Sequence, residues 1–172
     1  MRTLKNLVLV GSLGLAAACS STDTVPPDIG PVASTALTGT LGSLGAVLPT
    51  VSSLMISNSG ETLVYLSSAA LTCDQLKVSR WLGGATANSQ VIELIVSGAP
   101  TTTKVYGVPP GEVNFAQGGK SSATETSADS GSISFSRAEA AGDVEGSVTA
   151  KYGSTQISGV FHATFCTGGQ GY

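Results

Sequence analysis

Histidine and charged side chains, which most often carry out acid–base chemistry, are sparse in this 172-residue chain. Histidine occurs once, as His162, so a histidine-dependent triad has a single candidate and a metal site built on two histidines is excluded. Serine is abundant, but the Gly-x-Ser-x-Gly segment that presents a nucleophilic serine at a strand-to-helix turn does not occur. We therefore expect His162 to be a half-exposed strand residue rather than a general base.

Glu93 is the most informative carboxylate because it interrupts an otherwise apolar run, Val91–Ser97. In an antiparallel strand with one solvated face, such a residue points to solvent, and this is the interpretation we favour. The alternative is a buried carboxylate, which would need a partner such as Arg80 or Lys104 or would shift its pKa.

Three other patterns resemble known binding sites but lack residues that those sites require. Asp143 and Glu145 share the outer face of a predicted strand, but no Asp-x-Asp-x-Asp-Gly loop supports a calcium site. Gly118–Ser121 ends like a phosphate-binding loop, yet the required earlier glycine is missing. Trp81 and Tyr106 are too few for a carbohydrate platform of stacked rings. The sequence therefore assigns no catalytic residue, no metal ligand and no cofactor.

The cysteines carry a structural prediction. Cys73 and Cys166 form an even pair without CxxC spacing or neighbouring histidines, and in an exported protein such a pair is expected to be a disulfide. The third cysteine, Cys19, stands at the end of an apolar N-terminal run and is expected to have another role.

One segment is typical of a helix, near residues 72–82. Thr72 and Gln75 have the spacing of a capping box, and Leu71 and Leu76 that of a hydrophobic staple. The helix would end at the glycine pair 83–84. A disulfide from Cys73 to the last strand would pin this short helix to a sheet.

Short alternating or apolar runs separated by turn residues fill most of the remaining chain. We predict two hairpins, one around the turn Asn58–Gly60 and one around Gly153–Ser154. The polar segment 117–128 is expected to be an edge strand or a loop. The predicted strand regions are 36–44, 51–57, 61–68, 91–97, 101–108, 112–116, 131–137, 144–152 and 157–165.

Eight to ten short strands with frequent turns predict a mainly β fold, an antiparallel β-sandwich with one short helix. A lipocalin-like β-barrel remains the alternative. The predicted β domain spans 36–166 and is followed by a tail, 167–172. Residues 19–35, rich in proline and hydroxyl side chains, are predicted to be a flexible tether.

The first nineteen residues predict the location of the protein. A basic start leads into an apolar run of about a dozen residues, too short to span a bilayer, and then into the segment Leu15–Cys19. This layout resembles the lipobox signal peptide of bacterial lipoproteins, with residues 1–18 as the signal. The resemblance implies acylation of Cys19. Because Ser20 rather than aspartate follows, it also implies a lipid anchor in the outer membrane of the cell envelope.

The charge of the chain limits the classes of molecule that it could bind. Removing Arg2 and Lys5 with the signal leaves six basic and eleven acidic residues, a net charge of −5. That balance argues against nucleic acid, which selects clustered Lys and Arg. We expect a non-enzymatic binding or structural domain that is held at the membrane through its lipid and acts on an unidentified envelope protein or ligand. The alternatives are a lipocalin-like carrier of small apolar ligands and an envelope hydrolase or hydrolase inhibitor.

Overall fold

A computed structural model describes residues 34–41, 45–58, 60–78, 89–117, 124–139 and 142–168. The predicted signal segment, Cys19, most of the predicted tether, Arg80, Trp81 and Gly118–Ser121 lie outside the described residues. Over the described residues the chain forms ten strands and one helix. In chain order they are β1 (Ala36–Gly39), β2 (Ser52–Asn58), β3 (Glu61–Ser67), α1 (Cys73–Val78), β4 (Gln90–Ser97), β5 (Val105–Val108), β6 (Glu112–Gln117), β7 (Thr124–Ser127), β8 (Ser130–Ala138), β9 (Val144–Tyr152) and β10 (Thr155–Phe165).

The strands follow the order β5-β8-β9-β10-β2-β3-β4-β6-β7, with β1 beside β10. We call β2, β3, β4, β6 and β7 the first sheet and β1, β5, β8, β9 and β10 the second sheet. The prediction of a mainly β fold with one short helix is confirmed. The curled arrangement fits a sandwich or a barrel-like description.

The two sheets are joined by the end of β10, which pairs with β2 in parallel at Thr164↔Leu54 and Phe165↔Met55. The predicted fold is antiparallel, so this pair is a departure from it. Periodicity within one strand determines which side chains share a face but not which strand lies alongside, so this pairing could not be found from the sequence.

A long bent hairpin joins the sheets a second time. β6 pairs with β7 in the first sheet, and the same two chain segments continue as β5 and β8 in the second. The bend falls at Pro109–Gly111 on one strand and at Ala128–Asp129 on the other. The hairpin therefore turns a corner between the sheets, and β5 becomes an edge strand of the second sheet.

The main core lies between the sheets and is built from alternating residues of each strand. Along β4, Ile92, Leu94 and Val96 face this core, whereas Val91 and Ile95 face a smaller apolar cluster on the outer side of the first sheet. Both faces of β4 are thus covered, which explains why its sequence is apolar almost throughout.

Aromatic side chains fill the centre of the main core. The rings of Tyr106 and Phe135, and those of Phe135 and Phe161, make edge-to-face contacts with centroids 5.7 Å apart. Gly146 lies opposite both phenylalanines in register, and a Cβ there would come within 2.6 Å of the Phe161 ring. A glycine at this position leaves room for the Phe161 ring and for the Ser134 carbonyl oxygen of the paired strand β8, which a Cβ would also overlap.

Candidate functional site

The predicted cysteine pair is confirmed: Cys73 and Cys166 form a disulfide, with Cα atoms 5.3 Å apart and 93 positions apart in sequence. It ties the first residue of α1 to the end of β10. The helix begins as predicted, because the Thr72 N–H donates to Gln75 Oε1 at 2.8 Å and the Gln75 N–H donates to Thr72 Oγ1 at 3.4 Å. The described helix ends at Val78, and the rest of the predicted one lies outside the described residues.

The helix covers part of the outer face of the first sheet. Leu71 and Leu76, the predicted staple, lie in the smaller apolar cluster together with Tyr65 and Val91. A six-residue helix is marginal alone, so this packing and the disulfide hold it in place.

The favoured position of Glu93, on a solvent-exposed face, is wrong. Its exposed fraction is 0 %. Val91 and Ile95, its neighbours on the same face, belong to the cluster that α1 covers, so this outer face is not solvated here. The sequence shows that Glu93 alternates with core residues but does not show which face a helix will cover.

Glu93 belongs to a polar group within this face. Asn114 Nδ2 donates to Glu93 Oε2 at 3.3 Å and to Glu112 Oε2 at 3.1 Å, so one amide bridges two carboxylates. Asn114 is buried, and its Oδ1 accepts no hydrogen bond within the described part of the structure. Lys104, one of the two cations considered as partners of Glu93, lies instead over the ring of Tyr106.

A second polar group lies on the outer face of the second sheet. His162 Nε2 is 3.3 Å from Asp143 Oδ2, and Arg137 contacts both Glu145 and Glu139. The hydrogen bond to Glu139 raises the pKa of the Arg137 guanidinium. Asp143 and Glu145, considered above as a weak calcium contact, therefore each have a cationic or imidazole partner.

His162 is half-buried on this face, its side chain 21 % exposed. Thr35, the last residue of the predicted tether, fixes the backbone of His162. Its hydroxyl accepts from the His162 N–H at 3.1 Å and lies 3.0 Å from the His162 carbonyl oxygen. Within the described residues, the carboxylate of Asp143 is the group positioned to exchange a proton with the imidazole ring.

A cavity of about 230 Å³ opens where the bent hairpin turns its corner. Tyr106, a candidate for a surface ring platform, is instead 5 % exposed, with its hydroxyl between Thr101 N and Ala99 O at 3.2 Å each. The cavity is lined by Ser97, Lys104, Val105, Tyr106, Pro110 and backbone of the neighbouring glycines.

No helix in the described part of the chain is both long and apolar enough to cross a membrane.

Among the described side chains, no three His, Cys, Asp or Glu residues lie close enough together to hold a metal ion.

No protein-family model, curated protein or solved structure matches this chain.

Sequence reasoning missed two of these arrangements. The sequence predicts the hairpin of β9 and β10 but does not pair Asp143 with His162; the observed register brings the two residues near each other. No sequence pattern predicts the cavity, because it depends on how sharply the hairpin bends at Pro109–Gly111.

Proposed function

We propose that this chain is a lipoprotein of a bacterial cell envelope, anchored through acylated Cys19. Its β domain is held off the membrane by the segment that follows and acts by binding rather than by catalysis. The lipobox-like segment Leu15–Cys19 is the sequence basis for the anchor.

The disulfide is the observation that carries the proposal. Disulfides form and persist in oxidising compartments and are rare in the cytosol. Cys166 is 1 % exposed, and its bond to Cys73 closes a long loop that contains α1 and the strands β4 to β10. A disulfide in this position supports export, which is what the N-terminal residues predict independently.

The packing between the sheets supports a surface-binding domain over a carrier with an internal ligand. The rings of Tyr106, Phe135 and Phe161 occupy the centre of this space. The Tyr152 hydroxyl crosses it to donate to the Val113 carbonyl oxygen at 3.2 Å, joining the second sheet to the first.

The surroundings of His162 support a non-enzymatic role. Its ring contacts Asp143 on the outer face of a sheet, and the nearby Thr35 hydroxyl is engaged with the His162 backbone. Turnover of a substrate by the purified protein, lost in His162→Ala and retained in Asp129→Ala, would contradict this part of the proposal.

The anchor is tested by fractionating cells that express the full chain or its Cys19→Ser variant, with labelled palmitate supplied. We expect the label and the membrane location to be present in the parent and lost in Cys19→Ser, which keeps the size of the side chain. The matched control is Ser20→Ala, which leaves the cysteine in place and should still be labelled. Equal membrane retention and no label in all three chains would contradict the anchor.

A further inference from the structure

The cavity at the hairpin corner has an apolar wall and a cation at one side. Val105 is 67 % exposed beside it and Pro110 lines it, whereas Tyr106, 5 % exposed, reaches it only at its margin. The Lys104 ammonium lies 4.5 Å from the centroid of the Tyr106 ring. Since that ring is fixed by two hydrogen bonds of its hydroxyl, it holds the ammonium in position by a cation–π contact.

Lys104 forms no ion pair with a carboxylate of the described residues. A ring quadrupole attracts a cation without neutralising it, so the charge beside the cavity remains available to an anion.

The glycines of the corner leave bare backbone along the cavity. A Cβ on Gly111 would come within 3.0 Å of the Gly107 carbonyl oxygen and 3.3 Å of the Ile95 carbonyl oxygen. The Gly111 N–H donates to that Gly107 oxygen at 2.8 Å and closes the turn. The part of the cavity wall formed by these glycines is therefore backbone fixed by this hydrogen bond.

We propose that this cavity binds a small organic carboxylate with a compact apolar body. The body would lie against Val105 and Pro110, and the carboxylate would pair with Lys104, which rests on the Tyr106 ring. The proposal deepens the binding role proposed above, on which it rests, but it does not depend on the lipid anchor.

The size and charge of the site limit the ligand further. A volume of about 230 Å³ is below the range of roughly 300–1,000 Å³ that drug-sized ligands occupy, so a single ring with a short acidic arm is the appropriate size. The net charge of the chain is negative, so general attraction cannot account for binding of an acid. Any such binding has to come from a local cation.

The test is isothermal titration calorimetry of the full chain in a neutral detergent, with phenylacetate as the probe and phenylacetamide as its uncharged match. We expect phenylacetate to bind with a dissociation constant on the order of 1 mM and the amide to bind at least about tenfold more weakly. Lys104→Met, which keeps the apolar stem, should weaken phenylacetate binding about tenfold, and Lys104→Arg should restore it.

The matched control is Lys151→Met, because Lys151 is an exposed lysine on β9 that does not line the cavity. The affinity of Lys151→Met for phenylacetate should equal that of the parent. In the parent, bound phenylacetate should protect Lys104 but not Lys151 from acetylation. Absence of binding up to about 10 mM, or equal binding by Lys104→Met, would overturn the proposal. We expect phenylacetate to be recovered unchanged. Its consumption would contradict the non-enzymatic role but would still support binding at this cavity.

Discussion

Removal of the disulfide gives the largest stability change that the structure predicts. The bridge between Cys73 and Cys166 spans 93 positions, and it is removed without adding polar atoms by the double variant Cys73→Ala/Cys166→Ala. On the chain-entropy model, a loop of this length restricts the unfolded chain by about 4–5 kcal/mol. The double variant should therefore be less stable by about that amount.

The loss is large compared with the whole stability of a domain, which is typically about 5–15 kcal/mol. For a domain of about 130 residues, 1 kcal/mol corresponds to roughly 3–4 °C in the melting temperature. We expect the double variant to melt about 15 °C below the parent. Loss of packing around the buried Cys166 adds to this shift, and α1, no longer tied to β10, should lose its protection from hydrogen exchange before the sheets do.

The assay is urea unfolding and calorimetry of the parent and the double variant under identical conditions. The control is Cys19→Ala, which removes a cysteine outside the bridge and should melt with the parent. A difference below about 1 kcal/mol between the parent and the double variant would refute the reasoning, since it would mean that the bridge does not constrain the unfolded chain.

Three further substitutions test the packing. Gly146→Ala should lower the free energy of unfolding in urea by about 2–3 kcal/mol, because its methyl group would overlap the Ser134 carbonyl oxygen and the Phe161 ring, and unchanged stability would contradict the described packing. Asn114→Asp should cost about 2–3 kcal/mol at neutral pH, since it replaces the amide donor between two carboxylates by a third carboxylate, and the loss should shrink in mild acid as the new group is protonated. Tyr152→Phe should cost about 1 kcal/mol through its lost bond to Val113. Burial raises the pKa of Tyr152, so the folded state keeps the phenol proton longer than the unfolded state; stability of the parent should fall as pH rises above about 10, and less steeply in Tyr152→Phe.

The elements that local chemistry specifies were predictable from the sequence. The hairpins β2–β3 and β9–β10 follow from alternation and turn residues, and both are confirmed. The start of α1 follows from the Thr72–Gln75 spacing, whose hydrogen bonds are present. The polar composition of segment 117–128 predicts an edge strand or a loop, and the edge strand β7 forms in the last part of this segment.

The arrangements that depend on contacts between distant segments were not predictable. Whether Glu93 faces solvent depends on where α1 packs, and a strand pattern is the same in either case. The parallel contact of β10 with β2 and the bend at Pro109–Gly111 likewise arise from the way the sheets close on each other. The cavity beside Lys104 depends on that bend. The sequence therefore indicates Lys104 only as a candidate partner for Glu93.

The most direct test of the account is the intact mass of the protein isolated from its native membrane fraction, measured before and after reduction. We expect a chain that starts at Cys19 and carries a diacylglyceryl group and acyl chains, with a gain of two protons on reduction of the Cys73–Cys166 bridge. An unmodified chain starting at Cys19 would contradict the anchor, and the absence of a mass change on reduction would contradict the bridge.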